Sequence, residues 1–350
     1  MESNQTIPIT KDYKVLVGCM TYNHSKYIVD ALNGFAMQKT NFPFACIVID
    51  DASTDGEPEV IKDWLKKECD IEQADIYDLE LANVIIVPHK SNANCTMAVY
   101  LLKRNLYNEG NLKYDLVKDW GSHSEYLALC EGDDYWTDPE KLQIQSDCLD
   151  AHPEVDMCAH SYVEKHAITG KDIREKHSKL EDGIIPVEDV ILGGGDFFAT
   201  DSIVYRKDIE FSIPRFKEYM CYDYTQYIHG ALRGGIYYVE RIMSVYRKNV
   251  PNSWSATFNI DKESQIEFNT MLINMLDILD KEYEFKYHQA IRTQKFKYSV
   301  AYANTPFQNA RVILNNVDIF TQLPFKQKFL IIMKGLFPKL SLLMKRALVR

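Results

Sequence analysis

Three short polar sets interrupt apolar runs: Thr21-Tyr22-Asn23, Asp50-Asp51-Ala52-Ser53 and Glu131-Gly132-Asp133-Asp134. The third offers hard carboxylate oxygens on a turn, the donors that suit Mg2+ or Mn2+. Such an ion keeps several waters and bridges phosphate oxygens, so one or two protein carboxylates suffice. A nucleotide could bind there without a glycine cradle. Acidic pairs also form plain turns through the local hydrogen bonding of Asp, and the cluster by itself leaves that reading open. No G-x-G-x-x-G follows the first apolar run and no G-x-x-x-x-G-K-[ST] occurs anywhere, which counts against dinucleotide oxidoreductases and P-loop NTPases.

The elements that must position these residues alternate. Tyr13–Cys19 and Phe44–Ile49 are nearly continuous apolar runs, as strands buried on both faces should be. Val84–Val87 and Tyr126–Cys130 read as a third and a fourth strand. Between them, Ile28, Ala31, Leu32 and Phe35 fall at helical spacing, with Ser25 as the expected N-cap. A second helix is predicted from Glu57 to Cys69, with Pro58 in its first turn. This alternation predicts an α/β fold with a parallel, doubly wound sheet. The three polar sets then lie just past the C-terminal ends of strands, the edge where such sheets bind ligands.

Further along, a helix is predicted from Pro139 to Ala151 and a strand over Val155–Val163. Residues 164–200 are polar and carry Gly193-Gly-Gly195, so loops are expected. A short helix over Asp223–Leu232 precedes strand-like Gly235–Glu240 and Met243–Arg247. Residues 260–320 are helical in pattern, with Phe268, Met271, Leu272, Met275 and Leu279 on one stripe.

The chain has 350 residues, 46% hydrophobic and 26% charged, an ordinary globular balance that argues against general disorder. Its net charge of −10 argues against a generic nucleic-acid binder. Residues 321–350 carry seven Lys and Arg and no acid, so that tail is +7 and the rest is −17. The eight cysteines are scattered and never form C-x-x-C, which speaks against a structural zinc site or a disulfide framework and for a reducing compartment. The polar N-terminus is no signal peptide and no run suits a transmembrane helix, so a cytoplasmic or peripheral protein is expected.

Taken in order, Val15-Leu-Val-Gly-Cys-Met-Thr21-Tyr22-Asn23, Val48-Ile-Asp50-Asp51-Ala-Ser53-Thr-Asp55 and Cys130-Glu131-Gly-Asp133-Asp134-Tyr-Trp136-Thr-Asp-Pro139-Glu-Lys141-Leu142 resemble the family 2 glycosyltransferases. The resemblance is close over residues 13–165 and weaker to about residue 250. It implies the GT-A fold, a Rossmann-like and mostly parallel sheet flanked by helices, here with a helical C-terminal appendage. Residues 1–250 would form the transferase domain, with a nucleotide-sugar half at 13–135 and an acceptor half at 136–250. Residues 251–350 would be the appendage, ending in the basic amphipathic tail 325–350.

The same resemblance implies the roles. Thr21, Tyr22 and Asn23 would line the nucleotide, Asp51 would contact base or ribose with Ser53 beside it, and Glu131, Asp133 and Asp134 would form the D-x-D region, Asp133 holding Mn2+ or Mg2+. Glu131 replaces the usual first Asp, and Met20 stands where many members have Pro. Asp223, in Tyr222-Asp223-Tyr-Thr-Gln226, would be the catalytic base, although an aspartate there also suits a helix N-cap. The implied reaction moves a sugar from a nucleotide-diphosphate sugar, with a UDP-sugar expected, to an acceptor hydroxyl with inversion. A glycan or lipid-linked glycan in bacterial surface polysaccharide assembly is the expected acceptor. A sugar-phosphate nucleotidylyltransferase is the alternative, but its Gly-rich loop and activating Lys or Arg are absent after the first strand. A catalytically silent binding protein of the same fold is another.

Lesser candidates have plainer readings beside them. Asp201 and Ser202 could touch the acceptor or simply turn the chain. Tyr246 and Arg247 could bind diphosphate, or Arg247 could be an ordinary pairing arginine. His24 and Lys90 are expected to face solvent, His160 and His166 to be core or surface histidines, and Trp136 to pack beneath the acidic turn. Phe325–Leu336 and Lys339–Val349, broken at Pro338, read as two amphipathic helices. They would either lie on an anionic membrane surface or pack on the core with a basic face outward.

Overall fold

The computed structural model describes residues 7–337 except 108, 110, 111, 212, 221, 252, 254–261, 304–309, 311–313, 315–319 and 321–324. Strand β1 (Tyr13–Thr21) pairs in parallel with β2 (Phe44–Asp50), placing Val17 opposite Cys46. Every residue of β2 is buried, because each face of the sheet is covered. Phe44, Cys46 and Val48 join Ile28, Leu32 and Phe35 of helix α1 (Ile28–Ala36) and Ile61 and Leu65 of α2 (Glu57–Glu68) in one core. Ala45, Ile47 and Ile49 point the other way, to a second core containing Tyr100 and Trp120. This period of two explains why the strand reads as one unbroken apolar run.

After α2 the chain forms β3 (Asp75–Asp78), β4 (Ala82–Pro88), β5 (Cys95–Leu102), helix α3 (Leu112–Ser122) and β6 (Ser124–Leu129). Strand β7 (Tyr135–Trp136) and helix α4 (Lys141–Ala151) lead to β8 (Met157–His166), β9 (Asp172–Lys176) and β10 (Gly183–Ile185). Helix α5 (Val187–Gly193), β11 (Val204–Arg206), the helix Asp223–Ala231 and β12 (Ile236–Lys248) follow. The sheet order is β10-β12-β8-β11-β6-β1-β2-β5-β4-β3, with β7 paired to β12 and β9 to β8. Strands β5, β2, β1 and β6 run parallel, and β1 is flanked by β2 and β6. The strand order therefore reverses at β1, and the three polar sets end three adjacent strands at that switch point.

Several expectations need correction. Val84–Val87 lies in a strand, but β4 runs antiparallel to both β3 and β5, so the sheet is mixed rather than wholly parallel. Strand β5 itself was not foreseen. Residues 164–200 are not all loop, since they hold β9, β10 and α5. Gly235–Arg247 forms one bulged strand, β12, in place of two. Helix α1 starts later than expected, with Tyr27 at its N-cap, while the Ser25 N–H donates to Asp55 Oδ2 at 3.0 Å.

The chain divides into two compact units, Met1–Pro214 with Tyr222–Thr257, and Arg215–Cys221 with Phe258–Arg350. The second contains helices Lys262–Glu282, His288–Ala303 and Phe325–Leu336. Leu272, Met275 and Leu279 are buried, as their spacing requires. Cys221 and the helix expected over Lys339–Val349 lie outside the described residues. The other seven cysteines are free thiols. Among the described residues no helix is long and apolar enough to cross a membrane.

Candidate active site

The turns after β1 and β2 are held to each other. Glu57, fully buried at the first position of α2, accepts hydrogen bonds from the Thr21 and Ser53 hydroxyls and from the His24 N–H, the last at 2.7 Å. Asn23 adds two links: its N–H donates to Ser53 Oγ at 2.8 Å, and its Oδ1 accepts from the Thr54 N–H at 2.8 Å. Asn23 and Ala52 both take the left-handed backbone, φ +58° each. Asn tolerates that conformation; for Ala it is strained, and such strain concentrates at functional sites. Asp50 closes the β2 turn by accepting from the Ser53 N–H, and burial pushes its carboxyl up to about 6.

Asp51 is engaged differently. Its carboxylate accepts from the Leu106 N–H at 2.7 Å and from Lys113 Nζ at 2.8 Å. The Lys113 ammonium also stands 5.6 Å from the ring centroid of exposed Tyr107. Asp51 thus anchors the segment between β5 and α3, and a nucleotide meeting Asp51 would meet Lys113 as well.

The acidic set follows β6 and crosses the end of β1. Gly132 is required by proximity: a Cβ there would stand 2.1 Å from Thr21 Oγ1. Glu131, Asp133 and Asp134 bring carboxylate oxygens within 4.8 Å of one another. Arg247, near the end of β12, braces this turn. Its N–H donates to Asp134 Oδ1 at 2.6 Å and its guanidinium to the Asp133 carbonyl at 2.7 Å, while also pairing with Asp30 and stacking over Tyr135. The other Asp134 oxygen is buried without a partner. Burial, then the charge of Asp133, holds the Asp134 carboxyl well above its usual range. Glu131 opens to solvent but sits in a crowded hollow, and desolvation followed by the charges of Asp133, Asp223 and Asp201 pushes it up to about 8. Three converging carboxylates, one with an orphaned buried oxygen, are a fit for a hard divalent cation, whose charge would reverse these shifts.

Asp223 lies near enough for its charge to act on Glu131. It is the first residue of its helix. Tyr222 is the N-cap, whose N–H donates to Thr225 Oγ1 at 3.1 Å, so Asp223 is free of the capping role. Asp223 is open to solvent on one side, yet desolvation by the protein crowded around it raises its carboxyl, and a hydrogen bond from Thr200 Oγ1 at 3.0 Å to Oδ2 offsets part of that rise. A carboxylate raised in this way is suited to accept a proton.

Beneath the turn lies a buried polar layer. Trp136 is buried, as expected, and its Nε1–H donates to the Asp201 carbonyl at 2.9 Å. Asp201 and Ser202 are themselves fully buried, so neither presents to a ligand in the open cleft. Buried Lys141 lies 4.2 Å from the Trp136 ring centroid and donates to Gln145 Oε1 at 2.7 Å; burial lowers its ammonium to about 8. His160 is a core histidine and Lys90 caps α2 through the carbonyls of Lys66 and Lys67. His24 departs from expectation. Its Nδ1 lies 3.1 Å from Thr21 Oγ1 and its Nε2 3.8 Å from Asp133 Oδ2, so it belongs to the site.

Of the residues singled out in the sequence, Thr21, Asn23, Asp51 and Ser53 occupy the β1 and β2 turns, with Tyr22 exposed at the rim. Glu131, Asp133 and Asp134 converge on the adjoining turn, and Asp223 lies near enough for its charge to act on Glu131. Sequence reasoning missed Glu57, Lys113 and the bracing role of Arg247. Ser53 and Glu57 are four apart at a helix start, the one signal that could have marked Glu57 as more than a first-turn acid.

Residues 17–75 match the family model described as Glycosyl transferase family 2. The uncharacterized proteins Rv1520 of Mycobacterium tuberculosis and Mb1547 of Mycobacterium bovis are each 31% identical over 240 residues, 68% of this chain. That stretch is 60% of each relative, so the chain spans less than two thirds of their length. Among solved structures, S. aureus TarS residues 1–349 superposes with a TM-score of 0.52 at 14% identity, covering 91% of this chain and 78% of that one.

Proposed function

We propose, from the premise that this chain belongs to glycosyl transferase family 2 and has the GT-A fold, that it transfers a sugar from a nucleotide-diphosphate sugar to an acceptor hydroxyl. The observation that carries this reading is the convergence of the Glu131, Asp133 and Asp134 carboxylates on one turn, with a separate, helix-borne carboxylate, Asp223, near enough for its charge to act on Glu131. Those are the two functions that displacement at an anomeric carbon needs: stabilisation of the leaving diphosphate and removal of the acceptor proton.

In this reading Thr21, Tyr22, Asn23, Asp51 and Ser53 bind the nucleotide, and Lys113 sets the position of the Asp51 carboxylate. Asp133, with Glu131 and Asp134, would hold Mn2+ or Mg2+, which supplies positive charge to the departing diphosphate. Arg247 keeps the acidic turn in place, and His24 faces Asp133 from the β1 turn. Asp223 takes the proton of the attacking hydroxyl, while Thr200 orients its carboxylate. The new glycosidic bond forms as the bond to the diphosphate oxygen breaks on the opposite face, which inverts the anomeric centre.

A UDP-sugar is the donor proposed, and a glycan or lipid-linked glycan of surface polysaccharide assembly the acceptor. The test is a screen of nucleotide sugars with and without Mn2+, reading nucleoside diphosphate release and the anomeric configuration of the product. Metal-dependent release that Asp133→Ala abolishes supports the reading. No release from any nucleotide sugar with any simple glycoside acceptor, or a product with retained configuration, counts against it.

A further inference from the structure

The helix Phe325–Leu336 carries large apolar side chains on the face turned to solvent. Phe325 is 86% exposed, Phe329 48%, Leu330 47%, Leu336 61% and the following Phe337 54%. At 100° per residue, Phe325, Phe329 and Leu336 fall within a narrow stripe, with Leu330 and Phe337 along one border. The opposite side is the one that packs. Ile331 is buried, and Gly335 lies so close to its neighbours that an added Cβ would meet Leu314 Cδ1 at 2.5 Å and Ala310 Cβ at 3.4 Å. The helix is thus docked through Ile331 and Gly335 and presents its phenylalanines outward.

The outward face is therefore apolar as well as basic, unlike that of a packed helix whose outer face is only basic. Two phenylalanines and two leucines are exposed along this one short helix, with Phe337 just after it, and clustered exposed apolar surface marks an interaction site. The charges name the partner. Lys326 lies within the apolar sector, Lys328 and Lys334 lie at its two sides, and residues 321–350 contain no acid. Apolar bulk flanked by lysines, in a segment of +7 on an otherwise acidic chain, matches a surface of hydrocarbon beneath anionic headgroups.

We propose that the helix Phe325–Leu336 is an interfacial membrane anchor that lies flat on anionic phospholipid, with Phe325, Phe329 and Leu336 entering the acyl boundary and exposed Lys326 meeting headgroups. The anchor does not depend on the transfer reaction. It would hold the catalytic unit at a bilayer, where a lipid-borne substrate is confined.

The test is co-sedimentation of the full chain with vesicles of phosphatidylcholine alone or mixed with phosphatidylglycerol. The chain should pellet with the anionic vesicles, remain in solution with the neutral ones, and detach as salt is raised. Phe325→Glu/Phe329→Glu should lower binding by about tenfold or more, whereas Phe325→Leu/Phe329→Leu should keep most of it. Lys326→Gln should weaken binding about fivefold, the equivalent of about 1 kcal/mol per basic residue near an anionic surface. Equal binding of the wild type and the Glu variant would overturn the proposal. So would a concentration-dependent dimer in sedimentation velocity that the Glu variant abolishes without any vesicle binding, which would assign the face to a second copy.

Discussion

Thr200 donates its hydroxyl hydrogen to Asp223 Oδ2 across 3.0 Å, linking the short 3-10 turn Thr200–Ser202 before β11 to the first residue of the helix Asp223–Ala231. The bond favours the charged carboxylate against the burial that disfavours it. Two opposing influences therefore set the pH at which Asp223 can act.

If Asp223 is the base, Asp223→Asn should lower kcat by about 10²–10⁴-fold, the range of general-base contributions, and leave the donor KM near its original value. Thr200→Val removes the bond that lowers the carboxyl, so the acid limb of the kcat/KM profile should move to higher pH. Steady-state kinetics across pH checks both. Unchanged turnover in Asp223→Asn would remove it from the mechanism.

Asp133→Ala should abolish Mn2+-dependent release of nucleoside diphosphate and weaken Mn2+ binding measured by calorimetry. Arg247→Met leaves the Asp133 carbonyl without its donor, a loss of about 1–3 kcal/mol for a buried acceptor. Its metal affinity should fall while the carboxylates remain. Equal Mn2+ affinity in all three proteins would refute the assignment of the acidic turn.

Asp50 offers a pH-dependent stability test. Its carboxyl is raised by burial to about 6 in the folded state against about 3.9 unfolded, so the native state binds the extra proton between those values. Stability from this group is therefore lost as pH rises from about 4 through 6. Asp50→Asn, which keeps an acceptor for the Ser53 N–H, should be more stable than wild type by about 2–3 kcal/mol at pH 8 and equal to it near pH 4. Urea midpoints at the two pH values decide the matter; a constant difference would contradict it.

Two glycines should respond in opposite ways. Gly132→Ala places a methyl against Thr21, displacing the hydroxyl that binds Glu57, and should cost about 1–3 kcal/mol together with donor affinity. Gly121, inside α3, has open space where a Cβ would go. Gly121→Ala should be neutral or stabilising by up to about 1 kcal/mol. Thermal melts of both variants compare them directly.

The rim of the candidate site was legible because its parts are local. Continuous apolar runs marked β1, β2 and β6, and each ended in polar residues that needed no partner to be noticed. What escaped was non-local. Glu57 reads as an ordinary first-turn acid until the fold brings residues 33 and 36 positions earlier against it. Lys113 meets Asp51 across 62 positions, and Arg247 meets Asp133 across 114. The elements missed have physical reasons of their own. Strand β9 is short and polar and β10 is only three residues long, and both owe their form to pairing with β8 and β12. Strand β5 is Cys-Thr-Met-Ala-Val-Tyr-Leu-Leu, whose Met, Ala and Leu favour helix, and its place beside β2 overrides that preference.

Glu57 fastens the β1 turn to the β2 turn through hydrogen bonds internal to the protein. The ordering of that rim is thus completed during folding, and a ligand docking there has little backbone left to immobilise. Association should then show a small entropic penalty and a rapid, single-step approach, with the slower rearrangements of a binding cycle arising in other parts of the chain.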